Sequence, residues 1–514
     1  MEEKQEIGTV ISTMDSPSPS KLSFVVDSNN PVHRGQFIEM DYSEGTLIAL
    51  VNNVVKTNRY FERADSVKEF ESNGLSLNEQ FPTTEWEFLI AETKPLGVFT
   101  ETLTKRSTFP PSPGTKVRIA SETNLKKFFK FDEKNGLNLG TVEYHDTQVK
   151  INLTKLIQKH VAVLAMSGAG KSYFVSVLLE ELLNRKKEQG RIATIVLDVH
   201  GEYGSFCEPV TDKKFKDYSS KTKLVNARNI RIGVSKLSTG LFSSILPGLS
   251  APQKRDLGRV ISKLQKQMKE GLGPYSLNDI KRELSKDEEI KDSTEKVLNS
   301  WFVELESLNL FSETDSPSLE DLIEPGKMTV VDFSDIIHLK KKQIIVNYFA
   351  NKLFALRRRK QIPPFFLILE EAHQFIPERV SKEGAIARSI MQTIAREGRK
   401  FGASLCLISQ RPIQLSTTVL SQCNTQIILR ITNPYDLKHI GESSEGMDYR
   451  SQEMITALRV GEALMLGEAT GFPLFFKVRK RNSVESKHEK SLEQSAVEFE
   501  DASAEREDEA KQFL

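Results

Sequence analysis

The chain has 514 residues, too many for a single hydrophobic core, and its length predicts about three domains. Its 71 Lys and Arg against 70 Asp and Glu leave a formal net charge of +1, which excludes a bulk basic field as the means of attracting nucleic acid. Hydrophobic residues at 38% and charged residues at 27% fit an ordinary multidomain globular protein. Any attraction to a polyanion must therefore come from local patches.

The first residues, MEEKQEIGTV, are acidic and lack the basic and apolar regions of a secretory signal, and no stretch is long enough to span a bilayer. Cys207, Cys406 and Cys423 have neither paired spacing nor histidine neighbours of metal-site type. A cytoplasmic protein in a reducing compartment, without membrane insertion, is the expectation. Residues 1–125 carry short alternating or apolar runs (IGTVIS, KLSFVV, FIEMDY, TLIALVNNVV, WEFLIAE, KVRIAS) separated by turn residues. This pattern predicts a small β-barrel, serving either as a docking collar or as an oligomerisation cap.

Residues 126–234 read as the first part of an α/β core. The run VAVLAMSGAGKSYF, Val161 to Phe174, is a short apolar strand entering a Gly-rich turn that opens a helix. In a phosphate-binding loop of this kind, the backbone of Ser167, Gly168, Ala169, Gly170, Lys171, Ser172 and Tyr173 curls around a triphosphate. Lys171 reaches the β and γ oxygens, and the Ser172 hydroxyl ligates Mg2+. ATP and Mg2+ are the implied ligands. The loop has Ala165 where the motif usually begins with Gly, but Ser167 to Gly170 supply the turn. Asp198 and Glu202, after the strand at 192–197, either support a water or metal network or hold a structural turn.

Residues 235–322 turn helical. Leu257, Val260, Ile261, Leu264 and Met268 form one apolar stripe, and Val297, Leu298, Trp301, Phe302, Leu305 and Leu308 form a second, with Trp301 assigned to core packing. Arg255, Arg259, Lys263 and Lys266 lie on another face, read as solvated helix surface. The segment is expected to be a helical subdomain inserted into the core. Residues 323–483 resume the core with a strand at 328–335 followed by Lys340, Lys341 and Lys342, a basic cluster that either faces a pore or decorates a helix start.

The strand Phe365 to Leu369 ends in Glu370 and Glu371, at the edge where α/β sheets bind ligands. Glu370 suits the Mg2+ hydration shell and Glu371 suits orienting and deprotonating an attacking water. In TIAREGRKFGASLCLISQRP, Arg396, Arg399 and Lys400 precede another buried strand, Ser404 to Ile408, and Gln410 follows its end. Gln410 is positioned to sense a γ-phosphate or its water, and Arg396 and Arg399 are candidates for a finger that stabilises transition-state charge. Residues 484–514 change to Glu, Ser, Ala and Lys and read as a linker or exposed helical tail.

The loop SGAGKS, DVHGEYGSF (Asp198 to Phe206), LILEEAH, AREGRKFG, SQRP at 409–412, NPYDLKHIGESSEG (Asn433 to Gly446) and LRVGEALMLG together resemble the HerA family, within the HerA/FtsK branch of P-loop ATPases. Lys159 stands where that family commonly carries Arg. The resemblance implies a RecA-like core with a parallel sheet, an N-terminal β-barrel and an inserted helical subdomain. It also implies a hexameric homo-oligomer in which Arg396 meets a neighbour's γ-phosphate, and double-stranded DNA and a NurA-type nuclease as partners. The expected function is an ATP-driven translocase or helicase acting in DNA end resection and double-strand break repair. The alternatives are a HerA-like ATPase of a defence or secretion complex and a nucleotide-gated oligomeric scaffold with slow turnover.

Overall fold

The structure, a computed structural model, describes residues 5–12, 17–27, 30–58, 61–72, 74, 83–100, 104–381, 384–444, 446–486 and 492–501. The chain divides into two compact units, one built from residues 1–156, 168–170 and 424–479, the other from 157–167, 171–423 and 480–514.

In the first unit the six apolar runs close into an antiparallel barrel. Around it lie Leu22–Val26, Glu6–Ile11, Lys116–Ile119, Phe37–Tyr42, Gly45–Asn58 and Glu87–Phe99, which pairs back to Leu22–Val26. Alternate side chains point inward, so Ile7, Val10, Phe24, Ile38, Met40, Leu47, Val51 and Val117 fill its interior. Gly8 is required where strands pass closely, because a Cβ there would meet the Val25 carbonyl oxygen at 2.2 Å.

Residue 125 does not end this unit. It falls inside the helix Glu122–Phe129, whose Phe129 packs edge-on against Phe37 of the barrel and whose Phe128 stacks on Phe472. An antiparallel sheet, in the order Thr425–Ile428, Glu462–Gly467, Leu474–Val478, Leu137–Val142 and Gln148–Ile151, belongs to the same unit. Segments expected at both ends of the core thus pair with one another. Strand pairing at long sequence separation has no local signature from which it could be read.

The second unit is built on parallel strands in the order Thr222–Asn226, Met328–Asp332, Ala193–Asp198, Phe365–Leu369, Ala403–Ser409 and Val161–Leu164. The four strands from Ala193–Asp198 to Val161–Leu164 are buried along their whole length, as continuous apolar runs in a helix-covered sheet should be. Because every strand runs the same way, the ends carrying Asp198, Glu370 and Ser409 gather at one edge, beside the loop that follows Leu164.

Between Asn226 and Met328 the inserted helices Thr239–Ile245, Ala251–Gln267, Leu277–Lys286 and Asp292–Ser307 bury Leu257, Val260, Ile261, Leu264, Leu298, Phe302 and Leu305. Two expectations are corrected here. Val297 is 40% exposed, since the 3.6-residue period carries it off the buried face. Trp301 lies at the margin of the core, with the Lys340 ammonium 5.2 Å above its ring centroid. In the tail, residues 492–501 are helical and exposed. No helix among the described residues is long and apolar enough to cross a membrane.

Candidate functional site

The loop after Leu164 turns on glycines. Gly168 and Gly170 have φ of 75° and 94°, which L side chains disfavour, whereas Ala165 needs no such freedom and is buried. That is why Ala is accommodated at the motif's first position. The helix Lys171–Asn184 then begins at Lys171 itself. Tyr173 is fixed from outside the loop, its hydroxyl accepting from the Arg481 backbone N–H at 2.9 Å while the Arg481 guanidinium lies 5.9 Å from its ring centroid.

Lys171 is 5% exposed and lies among three carboxylates: Glu370 Oε1 at 3.1 Å, Glu371 Oε1 at 3.7 Å and Glu202 Oε2 at 3.9 Å. Burial works to lower the lysine's pKa, but Glu370, Glu202 and Glu371 outweigh it and the net shift is upward. Glu370 is fully buried. Its other oxygen accepts from the backbone N–H groups of Val199 and His200 at 2.9 and 3.3 Å. Burial raises the Glu370 and Glu202 pKa values, and Lys171 opposes the rise in each.

Asp198 and Glu202 have different roles in this geometry. Asp198 holds a turn, accepting from the N–H groups of Gly201, Glu202 and Tyr203 at 2.8 to 3.1 Å. Glu202 instead faces Lys171 and Ser172, and its Oε2 is buried without a hydrogen bond. Glu371 has the same property at Oε1, and its backbone is left-handed, φ 47° and ψ 46°. Left-handed backbone costs a non-glycine residue roughly 1–2 kcal/mol, and such strain recurs at functional sites.

A relay connects Glu371 to the next strand. His373 Nδ1 is 3.3 Å from Glu371 Oε2 and 3.1 Å from Ser409 Oγ, and Ser409 Oγ accepts from the Arg411 N–H at 3.0 Å. Gln410 is therefore held between two anchored neighbours. Burial lowers the His373 pKa. In the sequence His373 closes LILEEAH and Ser409 opens SQRP, but the local pattern gives neither of them a role.

Arg396 and Arg399 are not brought to this cluster. The helix Arg388–Glu397 runs back along the sheet and ends near the strands' amino-terminal edge, where the buried ring of His160 meets the Ala395 carbonyl and accepts from the Leu405 N–H, both at 3.0 Å. Both arginines are exposed. The acid strand's five residues span about 17 Å, which separates these arginines from Lys171 of the same chain.

The residues fit Mg2+ and a triphosphate. Two buried carboxylate oxygens without hydrogen bonds, on Glu202 and Glu371, flank the lysine and the Ser172 hydroxyl. Among the described residues no group of three His, Cys, Asp or Glu could hold a metal unaided. A Mg2+ that draws most of its ligands from phosphate and water requires no such group.

Comparison with known proteins agrees with this geometry. Residues 137–353 match the family model "Helicase HerA, central domain". A probable helicase of Methanocaldococcus jannaschii is 29% identical over 478 residues, covering 87% of this chain and 86% of the relative. The "DNA double-strand break repair helicase HerA" of Saccharolobus solfataricus is 27% identical over 472 residues, covering 88% of each. Among solved structures, VirB4 of Thermoanaerobacter pseudethanolicus superposes with a TM-score of 0.53 at 16% identity, covering 68% of this chain and 98% of that one, a likeness of fold alone. With the phosphate-binding loop, the paired acids and the parallel sheet in place, the chain is similar to the HerA helicases over most of its length, and residues 137–353 match that family's central domain.

Proposed function

We propose that this chain is an ATP- and Mg2+-dependent motor that moves along or unwinds double-stranded DNA as a ring, in company with a NurA-type nuclease at broken DNA ends. The observation that carries the reading is the lodging of Lys171 among Glu370, Glu371 and Glu202 at the carboxyl edge of a parallel sheet. A bound triphosphate competes for the lysine, and the carboxylates it leaves then require another cation. Ser172 and Glu202, with Glu370 behind them, would hold Mg2+, which when bound supplies charge neutralisation to the phosphates.

Glu371 has an oxygen free to accept a proton from water while His373 steadies the other, and Gln410 lies beyond the same edge. Lys171 draws charge from the γ-phosphate. Arg396, with Arg399 near it, is too far from its own Lys171 to serve there and suits a neighbouring subunit's nucleotide, which makes the ring part of the chemistry. Relatives of similar length that carry the double-strand break repair name support the DNA substrate.

The test is ATP turnover with and without duplex DNA. Stimulation should be indifferent to base sequence and fall steeply as salt rises, because backbone phosphates supply the attraction. Turnover unaffected by DNA at any salt concentration would overturn the motor reading.

A further inference from the structure

Basic residues on the inserted subdomain are answered by acids. On the helix Ala251–Gln267, Arg255 pairs with Asp256, Arg259 with Asp287 and Glu289, Lys263 with Glu283, and Lys266 with Glu270. That face is neutralised internally and makes a poor footprint for a polyanion.

Another place departs from this pattern. Past the ends of the strands Thr222–Asn226 and Met328–Asp332, three cations gather: Arg228, Arg231 and Lys341. Arg231 Nη1 donates to the carbonyls of Arg228 and Ile230, both at 2.9 Å. Lys341 Nζ reaches the Asn309 carbonyl at 3.5 Å, next to Leu310, whose carbonyl accepts from the Ile232 N–H at 2.8 Å. None of the three has an ion-pair partner among the described residues. Nearby carboxylates are engaged elsewhere, Asp335 with the Asn226 amide at 2.8 Å and Asp332 with the Ser334 N–H at 2.8 Å.

Gathering these charges without counter-ions is costly. Burial lowers the Lys341 pKa, and repulsion from Arg231 and Arg228 lowers it further. Lys341 also sits in the first turn of the helix Leu339–Arg358, where the helix dipole disfavours a cation. An external anion would relieve each of these terms. On the adjoining loop Ile337 is 98% exposed, and Leu339, the first residue of the helix, is 45% exposed, apolar side chains held out beside the charges. The triphosphate of the same subunit is not that anion. Met328–Asp332 lies four strand positions from Val161–Leu164, about 19 Å across the sheet.

We propose that Arg228, Arg231 and Lys341, with Ile337 beside them, form the surface by which each subunit grips the phosphate backbone of duplex DNA. This assignment rests on the motor reading and gives it a location. The cations meet phosphates, and the exposed isoleucine packs against the sugar face of the groove.

The test uses the full chain, a labelled duplex of arbitrary sequence and a salt titration. The triple variant Arg228→Ala, Arg231→Ala, Lys341→Ala should bind about tenfold or more weakly, with the slope of log K against log salt reduced by about two to three, one per lost phosphate contact. Its ATP turnover without DNA should match the unaltered chain, while stimulation by DNA falls. The control pair Arg259→Ala, Lys263→Ala should leave affinity and slope unchanged. If the unaltered chain binds duplex and the triple variant binds with the same affinity and slope, or if the control pair loses as much, the assignment is overturned and the motor reading stands. Failure of the unaltered chain to bind duplex at all would overturn both.

Discussion

Glu371 combines a left-handed backbone, a buried oxygen without a hydrogen bond and a histidine at 3.3 Å. Glu371→Gln keeps the shape but removes the basic oxygen. ATP binding should persist while hydrolysis falls by about a hundredfold or more, measured as single turnover against nucleotide retention. Near-normal turnover would move the role to Glu202 or Glu370. At this scale, residues fixed by short motifs were legible in the sequence: Lys171, Ser172, Glu370 and Glu371 lie on a loop and a strand end whose local pattern is sufficient. Glu202, His373 and Ser409 were legible only in part or not at all. They come from three segments that the sheet brings together, and the division between Asp198, which holds a turn, and Glu202, which faces the lysine, depends on backbone direction.

The helix Arg388–Glu397 is tied at its carboxyl end to the start of the loop strand through His160, whose two ring nitrogens are both engaged; burial brings its pKa down to about 4. The neutral ring fixes the helix end that bears Arg396 against the start of the strand Val161–Leu164. If Arg396 works on a neighbour's nucleotide, Arg396→Ala and Lys171→Ala should each be inactive as uniform rings, and mixing them should restore part of the turnover. No recovery despite demonstrated subunit exchange would remove the role in trans.

A second element carries its own titration. On the hairpin between Leu137–Val142 and Gln148–Ile151, burial and then the charge of Glu462 raise the Glu143 carboxyl from its ordinary 4.5 to about 7. The folded form holds the proton more tightly than the unfolded one, so stability should decline as pH rises from about 4.5 through about 7. Denaturant unfolding at pH 5 and pH 8 should show this decline in the unaltered chain and a smaller one in Glu143→Gln.

For the molecule as a whole, the barrel, the phosphate-loop core and the inserted helices could all be read from period and punctuation, because each is built from local runs. The division into units could not. Residues 424–479 join the barrel through contacts such as Lys94 with Asp448 at 2.5 Å, more than 300 residues apart in sequence. Of the two roles open to the barrel, the docking collar is tested by removing residues 1–120, which leaves the helix Glu122–Phe129 whole. ATP turnover should remain while capture of a NurA-type nuclease is lost, and undiminished capture would place the docking face elsewhere.

The chain beyond residue 479 returns to the helix that opens at Lys171. Glu180 on that helix is fully buried and accepts from the Asn482 N–H, the Ser483 N–H and the Ser483 hydroxyl, each at 2.7 Å. Seven residues thus act as a latch, and where the chain is cut decides whether the latch closes. Ending it after residue 486 should leave thermal stability nearly unchanged, whereas ending it after 479 takes three donors from a buried carboxylate and the Arg481 contact from Tyr173. A hydrogen bond to a charged group contributes roughly 1.5–3 kcal/mol, so losing these donors should lower stability measurably. Expression boundaries and tags for this protein should accordingly be placed beyond the latch.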